Sequence, residues 1–305
     1  MTARQACDDI RQGLGGDLCF QLDRLGWTDV MVNEDGKVWV DTGAMREVPC
    51  RVSDEGLVSA AWTLASYTNK QINEDHPSMC AVIPLMGLRV IFQVPPVVAH
   101  PTAVFRRPSA KVFSMEEMVG FGTVTPSQAE VLGQAVRTKQ NVVMAGGTGS
   151  GKTTMLNTLL QFIGPEERPY IIEDIAEIVC TSPNKGHVLV NDRSYTYEAA
   201  VRDSLRCRPD RIIIGECLEG QQTLQMLKSW NTGHPGGLCT IHATGARNAL
   251  RRLDELCMEV TATSQERIIH DTVDIVAYME RDRTGRRVVK ELLDLRKERE
   301  KEGIQ

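Results

Sequence analysis

Apolar positions change their period several times along this chain, and each change predicts an element. Leu14, Leu18, Leu22 and Leu25 recur at helical intervals. Two β-rich runs, Asp29-Val30-Met31-Val32-Asn33 and Lys37-Val38-Trp39-Val40-Asp41, flank Glu34-Asp35-Gly36, and Asp-Gly between such runs predicts a hairpin. A second helix fits residues 56–67, and strands fit 79–83 and 89–94 around a turn at Met86-Gly87. Residues 1–100 thus read as an α+β domain without a catalytic motif.

A joint over residues 101–124 follows Pro95-Pro96. Ala103-Val104-Phe105-Arg106-Arg107-Pro108 reads as extended, Ser114-Met115-Glu116-Glu117 as a capping box that starts a short helix, and Gly120-Phe121-Gly122 as its end. The second domain, residues 125–295, opens at Thr125-Pro126-Ser127-Gln128, with Thr125 as N-cap, Pro126 in the first helical position and Gln128 completing the box. Helical and strand patterns then alternate, with strands over 141–145, 170–172, 211–214 and 237–241. That rhythm predicts a largely parallel sheet covered by helices, an α/β class. Residues 274–278 and 287–293 flank Thr284-Gly285 and read as a closing hairpin; residues 296–305 are mostly charged and read as a frayed tail.

Composition narrows the class. Hydrophobic residues make up 42% and charged residues 25% of the 305, as in soluble globular proteins. A net charge of −5 gives no overall basic footprint, so direct nucleic-acid binding is not expected. The nine cysteines form no C-x-x-C pair, which suits reduced thiols better than a metal site or a disulfide framework. Asp8 and Asp9 stand where a signal peptide would need an apolar core, and the longest apolar stretch, residues 80–88, is broken by Pro84. Any membrane contact is expected to be peripheral or through a partner.

The most specific signal is Gly146-Gly147-Thr148-Gly149-Ser150-Gly151-Lys152-Thr153-Thr154, a complete G-x-x-x-x-G-K-[ST] loop between a buried strand and a helix. Its glycines let backbone N–H groups point at phosphate oxygens, and the helix N-terminus behind them favours an anion. Lys152 then reaches the β- and γ-phosphates of ATP, and Thr153 a Mg²⁺ ion.

Turnover needs further groups. Glu173, Asp174 and Glu177 end an apolar strand, where a ligand of an open parallel sheet lies; a solvated loop is the alternative. The strand Arg211-Ile212-Ile213-Ile214 leads to Gly215-Glu216, where Glu216 fits a water-activating carboxylate. Gly215 stands where an aspartate often holds Mg²⁺, so the metal would lean on Thr153, phosphate and water. Thr232-Gly233-His234 and Thr240-Ile241-His242-Ala243-Thr244 put His242 at a strand end. A histidine there is either a packing residue or a γ-phosphate sensor. Arg202, Arg206, Arg208 and Arg211, with Arg106 and Arg107 in the joint, are solvated or paired side chains, except where one serves as an arginine finger.

In this order the clusters resemble the hexameric traffic ATPases of bacterial type II and type IV secretion, pilus assembly and conjugation, most nearly the conjugative-transfer, TrbB-type branch. The match is densest over residues 125–295 and reaches the first domain through Gly87-Leu88-Arg89-Val90, Val94-Pro95-Pro96-Val97 and Phe105-Arg106-Arg107-Pro108-Ser109. The four-cysteine insert of the type II branch is absent from the sequence. The resemblance implies a RecA-like P-loop core behind a smaller N-terminal domain, and a cytoplasmic homohexameric ring that turns over ATP with Mg²⁺. It also implies an inner-membrane secretion or conjugation machine as partner. By position it gives phosphate and metal to Lys152 and Thr153, water activation to Glu216, metal support to Glu173, Asp174 and Glu177, and γ-phosphate sensing to His242 and His234. Nucleotide contacts fall to Arg106, Arg107 and Arg208. Two alternatives stay open: a nucleotide-gated assembly protein with negligible turnover, and a DNA-translocating ATPase of the same core.

Overall fold

In the computed structural model, which describes residues 1–107, 111–191 and 195–302, the chain divides into two units, Met1–Ser109 and Ala110–Gln305. Pro108, Ser109 and Ala110 of the expected joint and the last three residues of the expected tail lie outside the described residues.

The first unit packs helices α1 (Ala3–Asp23) and α2 (Asp54–Thr68) with a six-stranded antiparallel sheet. Its strands are β1 (Asp29–Val32), β2 (Lys37–Asp41), β3 (Met45–Arg51), β4 (Ser78–Ile83), β5 (Leu88–Gln93) and β6 (Thr102–Arg106), in the order β3-β2-β1-β6-β5-β4. Leu14, Leu18 and Leu22 face the core as their spacing predicts, but α1 ends at Asp23 and leaves Leu25 exposed. The segment read as an extended connector is β6, an inner strand. Phe105 pairs with Val30 on one side and Val90 on the other and is fully buried. Alternation in Thr102–Arg106 is too short to separate a strand from a linker; the two flanking partners decide it.

The second unit starts with α3 (Met115–Gly120) and α4 (Pro126–Arg137), both opened by complete capping boxes, at Ser114/Glu117 and Thr125/Gln128. Met115 and Met118 join the core beneath α4, and Phe113 O accepts hydrogen bonds from Thr158 Oγ1 (2.9 Å) and Gln161 Nε2 (2.7 Å). Residues 111–124, expected as linker, are thus bonded into the second unit. Next come β7 (Val142–Gly146), α5 (Lys152–Leu160), β8 (Pro169–Glu173), β9 (Gly186–Leu189), α6 (Tyr197–Ser204), β10 (Arg211–Cys217), α7 (Gly220–Asn231) and β11 (Leu238–Ile241). They are followed by α8 (Ala246–Met258), α9 (Glu266–Thr272), β12 (Ile275–Arg281), β13 (Arg287–Asp294) and α10 (Leu295–Glu302).

The seven strands run in the order β13-β12-β7-β11-β10-β8-β9, all pairings parallel except β12 with β13. Alternate residues feed two cores. Val143, Ile172, Ile212, Ile214 and Ile241 face one layer of helices, and Val142, Met144, Ile171, Ile213 and Leu238 the other. Continuous apolar strands are the mark of a parallel sheet covered on both faces. The tail expected to fray forms α10, anchored by buried Leu295 and by Arg299, which donates to Asp274 Oδ1 (2.5 Å), Val273 O (3.1 Å) and His270 O. All nine cysteines are free thiols. Among the described residues no helix is long and apolar enough to cross a membrane.

Candidate active site

The site gathers at the C-terminal edge of β7, β11 and β10. After β7 the backbone turns so sharply that only glycine fits at 146: a Cβ there would lie 2.3 Å from Met279 O and 2.5 Å from Ser150 Oγ. Gly151, at φ +99°, is the N-cap of α5, and Lys152 begins the helix. The left-handed glycines at 149 and 151 turn the loop's N–H groups inward, a built anion cradle. Ser150 Oγ is buried without a partner, and the Thr153 hydroxyl sits half-buried in the first turn. A polyphosphate supplies the acceptors this loop lacks, so the residues fit the group the motif implies.

Lys152 reaches across the loop. Its Nζ donates to Gly147 O at 3.2 Å, lies 3.7 Å from Glu216 Oε1, and approaches both His242 ring nitrogens at 3.4–3.5 Å. His242 Nε2 stands 2.9 Å from the same Glu216 oxygen, which requires the ring proton on Nε2. Burial pulls the Lys152 ammonium below its usual pKa, while Glu216 and Glu177 push it back up. Glu216 Oε1 therefore faces a cation and an imidazole that also touch each other. Gln222 supports it from behind: its Nε2 donates to Glu216 O (2.5 Å), and its Oε1 accepts from Leu218 N (3.0 Å).

Glu173 has another task. Its carboxylate is almost fully buried, accepts from Glu177 N (3.0 Å) and Ile178 N (3.1 Å), and lies 2.6 Å from His187 Nε2. With its oxygens occupied, it organises the acidic loop and is not a metal ligand, contrary to expectation. The same packing explains Gly215. A Cβ at 215 would sit 2.8 Å from Glu173 Cβ, so a metal-binding aspartate has no room there. Asp174 is exposed beside it. Asn157 of α5 fixes the loop backbone, donating to Glu177 O (3.1 Å) and accepting from Val179 N (3.0 Å). Among the described residues no three His, Cys, Asp or Glu side chains form a metal cluster.

Sequence comparison adds the family. The pattern of the type II/IV secretion system proteins matches residues 66–279. The chain belongs to this family. It is similar to the probable conjugal transfer protein TrbB of Sinorhizobium fredii, 34% identical over 283 residues that cover 92% of this chain and 86% of that relative. The type IV secretion system protein VirB11 of Bartonella quintana is 30% identical over 253 residues, 70% of either chain. Two solved structures share the fold. The Brucella suis VirB11 ATPase, in complex with sulphate, has a TM-score of 0.52 at 24% identity and covers 99% of both chains. The pilus retraction motor PilT with bound ADP has a TM-score of 0.68 at 17% identity over 94% of this chain and 87% of its own. The RecA-like core implied by the resemblance is therefore the fold of this member of the family.

Other members of the expected site lie elsewhere. Arg208 is exposed before β10, and His234 stands before β11, both at the N-terminal ends of strands whose C-terminal ends carry the loop, Glu216 and His242. At about 3.3 Å per residue, the five steps from Arg211 to Glu216 span about 16 Å of β10, and Arg208 lies three residues before that strand begins. These two residues are thus corrected out of the nucleotide site of their own chain. Arg106 pairs with Asp29 (2.8 Å), and Arg107 stacks on Trp27 (4.5 Å) and donates to Leu22 O (2.6 Å), all within the first unit. Two arginines outside the motifs, Arg281 and Arg287, do lie against the loop. Both donate through Nε to Gly149 O, at 3.3 and 3.0 Å. Arginines at 281, 283, 286 and 287 around the Thr284-Gly285 turn were the available signal.

Proposed function

We propose that this chain is an ATPase that hydrolyses ATP to ADP and phosphate with Mg²⁺ and so powers a type IV secretion or conjugative-transfer machine. The observation that carries the reading is one carboxylate, Glu216, in a mutual cluster with His242 and with Lys152 of a phosphate-binding loop. Loop amides and Lys152 would bind the β- and γ-phosphates, and Thr153 would hold the metal, which neutralises charge between them. Glu216 would take the proton of the water that attacks the γ-phosphorus. His242, bonded to that carboxylate and 3.4–3.5 Å from Lys152 Nζ, would sense the γ-phosphate that Lys152 takes. Glu177, close enough to act on the Lys152 charge, would add to the field around a bound metal.

The working form in this reading is a homohexameric ring on the cytoplasmic face of the inner membrane, joined to the secretion apparatus through partner subunits. Family membership supports it.

The test is Mg²⁺-dependent ATP hydrolysis by the native chain and by Glu216→Gln, each sized by light scattering with and without nucleotide. Removing the base is expected to lower turnover about 10²- to 10⁴-fold while nucleotide still binds. Native hydrolysis that survives Glu216→Gln would remove Glu216 from this role. A native ring that binds ATP without turning it over would favour a nucleotide-gated scaffold.

A further inference from the structure

Two cations stand face to face beside the loop without an acid between them. Arg281 ends β12 and Arg287 opens β13, and the two are direct cross-strand partners. Like charges in that position destabilise a hairpin. The neighbouring charges do not offset them. Arg286, one residue away, is neutralised by Asp282 at 2.9 Å, and Glu280 is committed to Lys290 at 2.8 Å. Among the described residues neither Arg281 nor Arg287 forms an ion pair; each has only Gly149 O as acceptor. One bond apiece leaves most of the five donors of each guanidinium free for another acceptor.

Their placement answers why the repulsion is kept. β12 runs parallel to β7, and Met279 pairs with Gly146, so the hairpin lies along the loop from its first residue. The Arg287 stem passes over Gly151, where a Cβ would meet its Cδ at 3.0 Å, and an Arg281 terminal nitrogen lies 3.3 Å from a Cβ built on Gly149. Two of the loop's glycines thus make room for arginines as well as for backbone turns. Burial and the charge of Arg281 both pull the Arg287 pKa below its usual value, the direction that a bound anion would reverse.

We propose that Arg281 and Arg287 form a second phosphate-binding element, a pair of forks on the outer rim of the loop that takes oxygens of the bound nucleotide's phosphate chain. It rests on the nucleotide-binding reading above. Because the pair belongs to the β12–β13 hairpin, phosphate binding replaces cross-strand repulsion with a shared anion and stiffens that hairpin.

The experiment uses the full chain, a fluorescent ATP analogue with Mg²⁺, and thermal melting with and without ATP. The variants are Arg281→Ala, Arg287→Ala, the double variant, Arg287→Lys and, as control, Arg286→Ala. Each single alanine variant should weaken nucleotide binding about tenfold, as loss of a charge-assisted hydrogen bond does. Arg286→Ala should stay near native affinity, and Arg287→Lys should fall between. Without nucleotide, the double variant should melt at or above the native temperature, since a repulsive pair is gone, while its ATP-induced rise shrinks. Native affinity in the double variant would overturn the proposal. So would a lowered melting temperature without nucleotide that accounts for the lost binding, the mark of a structural role. A native chain that fails to bind the analogue would bring down the nucleotide reading itself, a distinct result.

Discussion

The two edges of the seven-stranded sheet carry the same residue types in opposite states. At the N-terminal edge Arg211 is fully buried and forks onto Glu167, with Nε and Nη2 each 2.8 Å from a carboxylate oxygen, and its Nη1 donates to Gly236 O. Asn141 closes the same edge, donating to Thr272 O and accepting from Gly237 N. At the C-terminal edge Lys152, Glu216 and His242 share a single loose cluster, and Arg281 and Arg287 have only a carbonyl. Charges that satisfy one another hold the sheet; charges left partly unsatisfied are available to a ligand. Residue type alone does not separate the two, but the hydrogen-bond inventory does.

That contrast predicts effects of decreasing size. Arg211→Ala leaves Glu167 half-buried without its fork, so it should cost about 3–5 kcal/mol of stability, read by denaturant unfolding. A loss below about 1 kcal/mol would mean that the closed edge is not closed. Acid tests the same pair. Although burial opposes it, the Arg211 fork holds the Glu167 carboxyl down from 4.5 to about 2, with help from Gly164 N and Lys139. A depressed acid binds fewer protons when folded, so its stabilisation is complete above about pH 5 and drains away as pH falls toward 2. A shift of that size corresponds to about 3 kcal/mol, and Arg211→Ala should flatten that part of the stability–pH curve. An unchanged slope would assign the acid sensitivity to other carboxylates.

Gly215→Ala probes the contact between β10 and Glu173. Overpacking there should cost about 1–3 kcal/mol and loosen the acidic loop, which limited proteolysis would detect near residues 174–178. A fully stable variant would show that Glu173 can move aside. The smallest change is expected from Arg208→Ala, an exposed residue at φ +51°. Its stability should stay within about 0.5 kcal/mol of native, and nucleotide binding by its own chain should be unaltered. If turnover nevertheless collapsed only in the assembled ring, Arg208 would have to act on a neighbouring chain's nucleotide.

Much of this was legible in local spacing. The nine residues from Gly146 to Thr154 encode their own turn, and the capping boxes at Ser114 and Thr125 close as written, because each involves neighbours in the chain. The hairpins at Gly36, Gly87 and Gly285 carry left-handed glycines at their turns. Where partners are distant, the reading weakened. β3 and β9 have too few apolar positions to announce themselves, and β6 looks like a connector until β1 and β5 flank it. Glu173 resembles Asp174 and Glu177 in sequence, yet only Glu173 points inward to Ile178 N and His187.

Chain order and spatial order explain the division. The sequence by itself determined a phosphate-binding loop, an α/β core and an acid at the end of an apolar strand, since each is written in contiguous residues. Tertiary structure alone decided which side chains meet that loop. β11 inserts between β7 and β10, so His242 lands against both Lys152 and Glu216 although it follows both in the chain. Parallel pairing sends Arg208 and His234 to the far edge, while the antiparallel return of β13 carries Arg287 back to Gly149. Strand order is set by the packing of two cores at once, and no local period records it.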